Sequence, residues 1–268
     1  MARKRIIIFN DFCGIGTVAL KMNMLAVMAN GIEAVSVPTG IFSAPMNYKG
    51  FTRNKMPEFQ NYVNSIENIY ENFNAILIGF IDDVAVSKRI TAFVTKHPET
   101  KIVLDPIMGD NGRLYSGTGS EQIDFYKSLV PHAEIILPNT TEGMILSGIE
   151  LSNFSENDES LKLEILKKLK HMGAKNILLK GEFDGENFVN TFTNGEEIHT
   201  IKSKYVPEKF HGTGDLLGGL VSVLVANDEL DEKKISVAQN LISEVLKNEK
   251  GAGEILPDFR NLICMINK

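Results

Sequence analysis

The sequence predicts an α/β protein with a mainly parallel sheet and helices on both faces. Two observations predict it. Short apolar runs rich in β-branched residues alternate with helix-length segments, the pattern of strands joined by crossover helices. A polar or glycine-bearing cluster also recurs just beyond run after run: Asn10-Asp11, Thr39, Asp105-Pro106, Pro138-Asn139 and Lys180-Gly181. In such folds the ligand lies beyond the carboxyl ends of the strands, so these clusters are expected on one rim.

The elements follow in order. "RIIIFN" (5–10) reads as the first strand, and "TVALKMNMLAVMANG" (17–31) as an amphipathic helix closed by Gly31. "EAVSVPT" (33–39) reads as a second strand, and 56–73 as a helix with Pro57 in its first turn. "NAILIGF" (74–80), "KIVLDP" (101–106) and "AEIILPN" (133–139) read as further strands, with a helix over 82–97. A helix over 159–173, ending at a glycine, leads to the strand "KNILLKG" (175–181). Two hairpin-like runs turn at Asn194-Gly195. A helix opening at "HGTGD", another from Glu232 to about Lys247, and a short one after Pro257 complete the chain.

"KFHGTGDLLGGLVSVLV" (209–225) holds the most pointed signal. Its apolar run is long for a strand and reads as a buried helix. That places His211-Gly212-Thr213-Gly214-Asp215 at a helix N-terminus, where free N–H groups and the helix dipole favour an anion. Thr and Asp are also ordinary capping residues. A cap without a ligand and an anion site both fit the stretch alone, although two glycines exceed what capping needs.

Composition narrows the function class. The chain has 268 residues, is 43% hydrophobic and 23% charged, and carries a net charge of −6. It is expected to form a single globular domain over 1–268. An acidic chain lends no electrostatic support to nucleic-acid or membrane-surface binding. The apolar run after the basic start spans only Ile6 to Phe9, too short for a signal peptide. Cys13 and Cys264 form no metal spacing. A cytoplasmic location is expected.

"HGTGD" (211–215), "LDPIMGDNGRLY" (104–115) and "PNTTE" (138–142) together resemble the ribokinase superfamily, and within it the pyridoxal/pyridoxamine kinase branch. "VPTGIFSAPMNYKGFT" (37–52) is similar to that branch's segment after the second strand. The resemblance spans nearly the whole chain and implies a ribokinase-like three-layer α/β/α sandwich. It also implies phosphorylation of the 5′-hydroxymethyl group of a vitamin B6 vitamer by ATP with Mg²⁺. A monovalent cation such as K⁺ is a further candidate cofactor, and a homodimer the expected assembly.

The resemblance implies roles residue by residue. Asp215 matches the catalytic base, and Gly212, Thr213 and Gly214 the anion hole. Asn139 and Glu142 match an Asn-x-x-Glu motif that positions magnesium and phosphate, with Asp105, and Asp110 beyond it, near the cation. Lys180 and Gly181 fall near the nucleotide phosphates, and about 201–210, including Phe210, beside the adenine. Asp11, Thr39, Ser43, Asn47 and Phe80 fall at the substrate end. Phe80 replaces the branch's usual tyrosine, and "CGIG" (13–16) departs from its commoner pattern. Segments 40–56 and 109–119 are the expected lids.

Two alternatives stand beside this reading. Hydroxymethylpyrimidine kinases share the superfamily, but usually carry Cys where Asp215 stands. A non-catalytic binder of B6 or nucleotide would have no need of a base. His211, Cys13 and the methionines at 22, 24 and 28 have ordinary structural explanations.

Overall fold

The protein is described by a computed structural model covering residues 3–46, 48–81, 83–155, 157–207 and 210–247. Asn47, Cys264 and the helix expected after Pro257 lie outside the described residues.

Nine strands form one sheet in the order β11-β10-β9-β8-β5-β4-β1-β2-β3. Its centre is parallel: β1 (Arg5–Cys13), β2 (Glu33–Phe42), β4 (Ala75–Ile78), β5 (Lys101–Leu104), β8 (Ile135–Ile136) and β9 (Ile177–Phe183). The antiparallel strand β3 (Arg53–Lys55) closes one edge. The antiparallel strands β10 (Asn187–Thr193) and β11 (Ile198–Lys204) extend the other. A separate two-stranded ribbon joins β6 (Gly109–Asp110) to β7 (Arg113–Leu114).

The apolar runs are continuous because both faces of the sheet are covered. Ile7 and Phe9 of β1 face a core shared with α2 (Phe59–Ile69), α3 (Val84–Lys96), α4 (Ser120–Leu129), α5 (Thr140–Ser147) and α6 (Glu159–His171). Ile6 and Ile8 face the opposite core, built with α1 (Leu20–Ala29), α7 (Thr213–Ala226) and α8 (Glu232–Lys247). The same alternation splits Ile76 and Ile78 from Ala75 and Leu77 in β4. This is the three-layer α/β/α sandwich that the sequence predicts.

Several boundaries differ from expectation, each for a local reason. Helix α1 starts at Leu20 rather than residue 17, because Ala19 takes φ 52°, ψ −131° and breaks the helical path. Helix α2 starts at Phe59, and Glu58 at φ 50° leaves Pro57 outside it. Helices α4 and α5 and the strands β3, β6 and β7 carry no expectation from the sequence.

The chain passes from β1 to β2 on one side, then returns to place β4 on the other side of β1. That reversal opens a crevice at the strands' carboxyl ends, the usual ligand position in open α/β sheets. Asn10 and Asp11, Asp105, Asn139 and Lys180 stand on this rim. The rim is drawn together by backbone pairing of Asn139 with Lys180 and by the Asp105 N–H donating to Ile78 O at 2.9 Å.

Candidate active site

Helix α7 opens at the rim. Its N-cap is Gly212, at φ 85° with no side-chain capping bond. A Cβ here would stand 3.0 Å from Thr17 O and 3.1 Å from Met22 Cε, so both conformation and space require glycine. The capping explanation for Thr213 and Asp215 therefore does not describe this helix. Its first backbone N–H groups, from Thr213 to Asp215, have no partner within the helix, and all three residues line a common cavity.

Asp215 turns its carboxylate toward α1 and β1. Oδ2 accepts the Ala19 N–H at 2.9 Å, and Oδ1 accepts Asn10 Nδ2 at 3.2 Å. Burial, then the charge of Asp105, pushes its pKa up to about 6, against the lowering effect of the Ala19 and Asn10 hydrogen bonds and of Lys180. The group is still mainly ionised at neutral pH and binds a proton weakly enough to release it again, which suits a general base.

Three charged side chains meet behind it. Lys180 Nζ lies 2.5 Å from Asp105 Oδ1 and 3.8 Å from Glu142 Oε2. Asp105 and Glu142 are 3% and 2% exposed. Burial pushes Glu142 up to about 8 and raises Asp105 against the pull of the Lys180 ammonium, which the two carboxylates hold firmly protonated. Asn139 and Glu142 also form a reciprocal capping box for α5: Asn139 Oδ1 accepts the Glu142 N–H, and Glu142 Oε2 accepts the Asn139 N–H, both at 2.8 Å. The other Glu142 oxygen accepts the Met108 N–H at 3.3 Å.

A cavity of about 490 Å³ collects these groups. Asp105, Asp110, Asn139, Glu142, Lys180, Gly181 and residues 210–215, Phe210 and His211 among them, line it. Ser203 to Val206, within the segment expected beside the adenine, also line it. Glycine at 181 is dictated by sheet packing, since a Cβ would fall 1.2 Å from Val189 O. Its N–H donates to Asn190 Oδ1 at 2.7 Å.

The residues expected at the substrate end, Asp11, Thr39, Ser43 and Phe80, do not line this cavity, and Asp11 lies close enough to Asp215 to feel its charge. Burial, then the charge of Asp215, pushes Asp11 up to about 7. The Cys13 thiol donates to Asp11 Oδ2 at 3.5 Å, and burial pushes that thiol up to about 12. The Thr39 hydroxyl donates to Phe80 O at 2.7 Å, while Ser43 Oγ accepts the Thr52 N–H at 2.7 Å. Phe80 is 3% exposed and packs edge-on against Phe42, with the Arg53 guanidinium 5.4 Å from its ring centroid. Its ring is thus already covered by Arg53. Arg53 Nη1 also donates to Ser116 O at 3.2 Å, tying one expected lid segment to the other.

Sequence reasoning missed Ala19, Asn23 and Arg53, and noted Asn10 only as part of a polar cluster. Asn23 could have been found: it is a polar residue among apolar ones on a buried helix face.

Comparison with known proteins agrees with this architecture. The family model described as phosphomethylpyrimidine kinase matches residues 20–256. A pyridoxal kinase from Dictyostelium discoideum is 28% identical over 263 residues, covering 88% of this chain and 84% of that protein. The crystal structure of pyridoxal kinase from Entamoeba histolytica superposes with a TM-score of 0.86 at 22% identity, over 99% of this chain and 96% of that one. Pyridoxal kinase from Leishmania donovani, in complex with ADP and pyridoxamine, superposes with a TM-score of 0.80 at 20% identity, over 98% and 96%. With the family model spanning most of the chain, the protein belongs to the phosphomethylpyrimidine kinase family.

Proposed function

We propose that this chain is an ATP-dependent kinase that phosphorylates the 5′-hydroxymethyl group of a vitamin B6 vitamer: pyridoxal, pyridoxamine or pyridoxine. One observation carries the reading. The Asp215 carboxylate, the uncapped α7 N-terminus and the Lys180 ammonium share one cavity, and its volume suits a nucleotide-sized ligand. The pyridoxal kinases among its relatives support the choice of substrate.

Asp215 takes the proton of the acceptor hydroxyl as that oxygen forms its bond to the γ-phosphorus. The bond from the γ-phosphorus to the oxygen bridging it to the β-phosphorus breaks, and ADP leaves with that electron pair. The amides of 213–215 receive the charge on the transferring group, and Lys180 supplies a point positive charge beside it. At the acceptor end, Asp11 is poised near neutrality to exchange a hydrogen bond with a polar group of the ring.

The donors present fit magnesium. Asp105, Glu142 and Asp215 crowd a single ammonium, and burial raises all three toward their protonated forms, so a divalent cation would take the place of protons there. Among the described residues no three His, Cys, Asp or Glu side chains form a protein-only cage. Asp105 and Glu142 would therefore hold the ion largely through water, as magnesium prefers. Held there, it would supply charge neutralisation for the transferring phosphoryl group.

A second reading, transfer to hydroxymethylpyrimidine, draws on the description of the family model itself. Purified protein with Mg-ATP, offered pyridoxal, pyridoxamine, pyridoxine and hydroxymethylpyrimidine in parallel, separates the two. ADP release dependent on a B6 vitamer is the expected result. Release with the pyrimidine alone would replace the reading by the second one, and binding of all four without turnover would leave a binder.

A further inference from the structure

Asn10 sits in β1 just beyond the last residue paired with β4, 1% exposed, with its amide committed in four directions. Oδ1 accepts the N–H groups of Asp11 at 3.0 Å and Phe80 at 2.9 Å. Nδ2 donates to Asn23 Oδ1 at 2.7 Å and to Asp215 Oδ1 at 3.2 Å. Asn23 in turn donates from Nδ2 to the backbone oxygen of Asp215 at 2.6 Å. The two asparagines thus grip Asp215 by its carboxylate and by its main chain, from β1 and from α1.

Resting on the assignment of Asp215 as the base, we propose that Asn10 is a positioning residue that, oriented by Asn23, aims the Asp215 carboxylate at the acceptor hydroxyl. The amide cannot turn over. Its oxygen is fixed by two N–H donors, so its nitrogen must face Asn23 and Asp215. A carboxylate offers about four acceptor positions. Ala19 and Asn10 occupy one on each oxygen, which fixes the carboxylate plane and leaves the remaining lone pairs for the substrate proton. Aspartate at position 10 could match the acceptor half of this arrangement but would set a second negative charge against Asp215. Alanine or serine could not span the gap. The distinction from a sheet-bracing role lies in the donor half: Asn10 Oδ1 serves β1 and the start of the β4 loop, whereas Nδ2 serves only Asn23 and Asp215.

The test is a double-mutant cycle on turnover of the preferred acceptor. Asn10→Ala should lower kcat by roughly 10- to 100-fold, the scale of a misplaced catalytic group, with KM for ATP and acceptor held within about threefold. In an Asp215→Asn background, where no base remains to be aimed, the same Asn10→Ala change should cost no more than about twofold. Asn23→Ala keeps both strand contacts of Asn10 and is expected to lower kcat about three- to tenfold; it decides the matter if Asn10→Ala does not fold. Equal losses in both backgrounds, or an effect confined to KM, would overturn the proposal while leaving the kinase reading intact. A wild-type chain that turns over no acceptor would overturn the kinase reading first, and this inference with it.

Discussion

The Ala19 N–H donates to Asp215 Oδ2 at 2.9 Å from a backbone turned to φ 52°. A residue with a Cβ pays about 1–3 kcal/mol to stand there, and Ala19 is buried at the head of α1, beside Asp215. Strain has been retained where it directs an N–H at a carboxylate. Ala19→Gly keeps the N–H and removes the penalty. Thermal denaturation should show a gain of about 1 kcal/mol, with kcat within twofold of wild type. A large loss of kcat would mean that the alanine methyl itself contributes to the site.

Lys180 serves two ends, as partner of Asp105 and Glu142 and as a cation facing the cavity. Lys180→Met strands two buried carboxyls. Stability should fall by about 3 kcal/mol, the scale for breaking a buried pair, since the Lys180 side chain is only 15% exposed. Restoring charge balance with Asp105→Asn should recover much of that stability in urea unfolding and none of the turnover. Recovery of both would show that the lysine acts on the fold alone.

The Asp215 pKa, raised to about 6 from 3.8, makes two pH predictions. As the proposed base Asp215 must be ionised to act, so kcat/KM should rise with pH through about 6 and level off above it, while the residual activity of Asp215→Asn lacks that limb. Stability runs the other way. A carboxyl whose folded pKa lies above its unfolded one stabilises fully below pH 3.8, and that share is lost as pH rises through 6. From pH 4 to 8 the stability difference should therefore move in favour of Asp215→Asn, by at most about 3 kcal/mol. Parallel stability curves for the two proteins would contradict the raised pKa.

Gly212→Ala places a Cβ at φ 85° against Thr17 O. The expected cost is about 1–3 kcal/mol in stability. Turnover should fall further than that, because the N-terminal amides of α7 must shift to relieve the contact. A variant with normal kcat would remove those amides from the chemistry.

The parallel core was legible because both-face burial writes an unbroken apolar run such as Ile6–Phe9 or Ala75–Ile78. Helix α5 was not, since "TTEGMILSG" is short, apolar and β-branched at its start. Its capping box, Asn139 to Glu142, was visible in the sequence as a family motif but was not used as a helix-start signal. In the site, Asp215, Lys180, Asp105 and Glu142 were readable because motifs fix their spacing in the chain. Ala19, Asn23 and Arg53 were not. Their partners lie across the fold, 196 residues away for Ala19 and 192 for Asn23. A backbone strained at Ala19 leaves no trace in residue type.

In the proposed reaction Asp215 removes the acceptor proton. The most direct test compares kcat for pyridoxal phosphorylation by Asp215→Asn and by wild type, both saturated with Mg-ATP and acceptor. Asparagine can still accept the Ala19 hydrogen bond but cannot take a proton, so a loss of roughly 10²–10⁴-fold is expected, with both substrates still bound. A variant turning over within a few-fold of wild type would mean that a different group is the base.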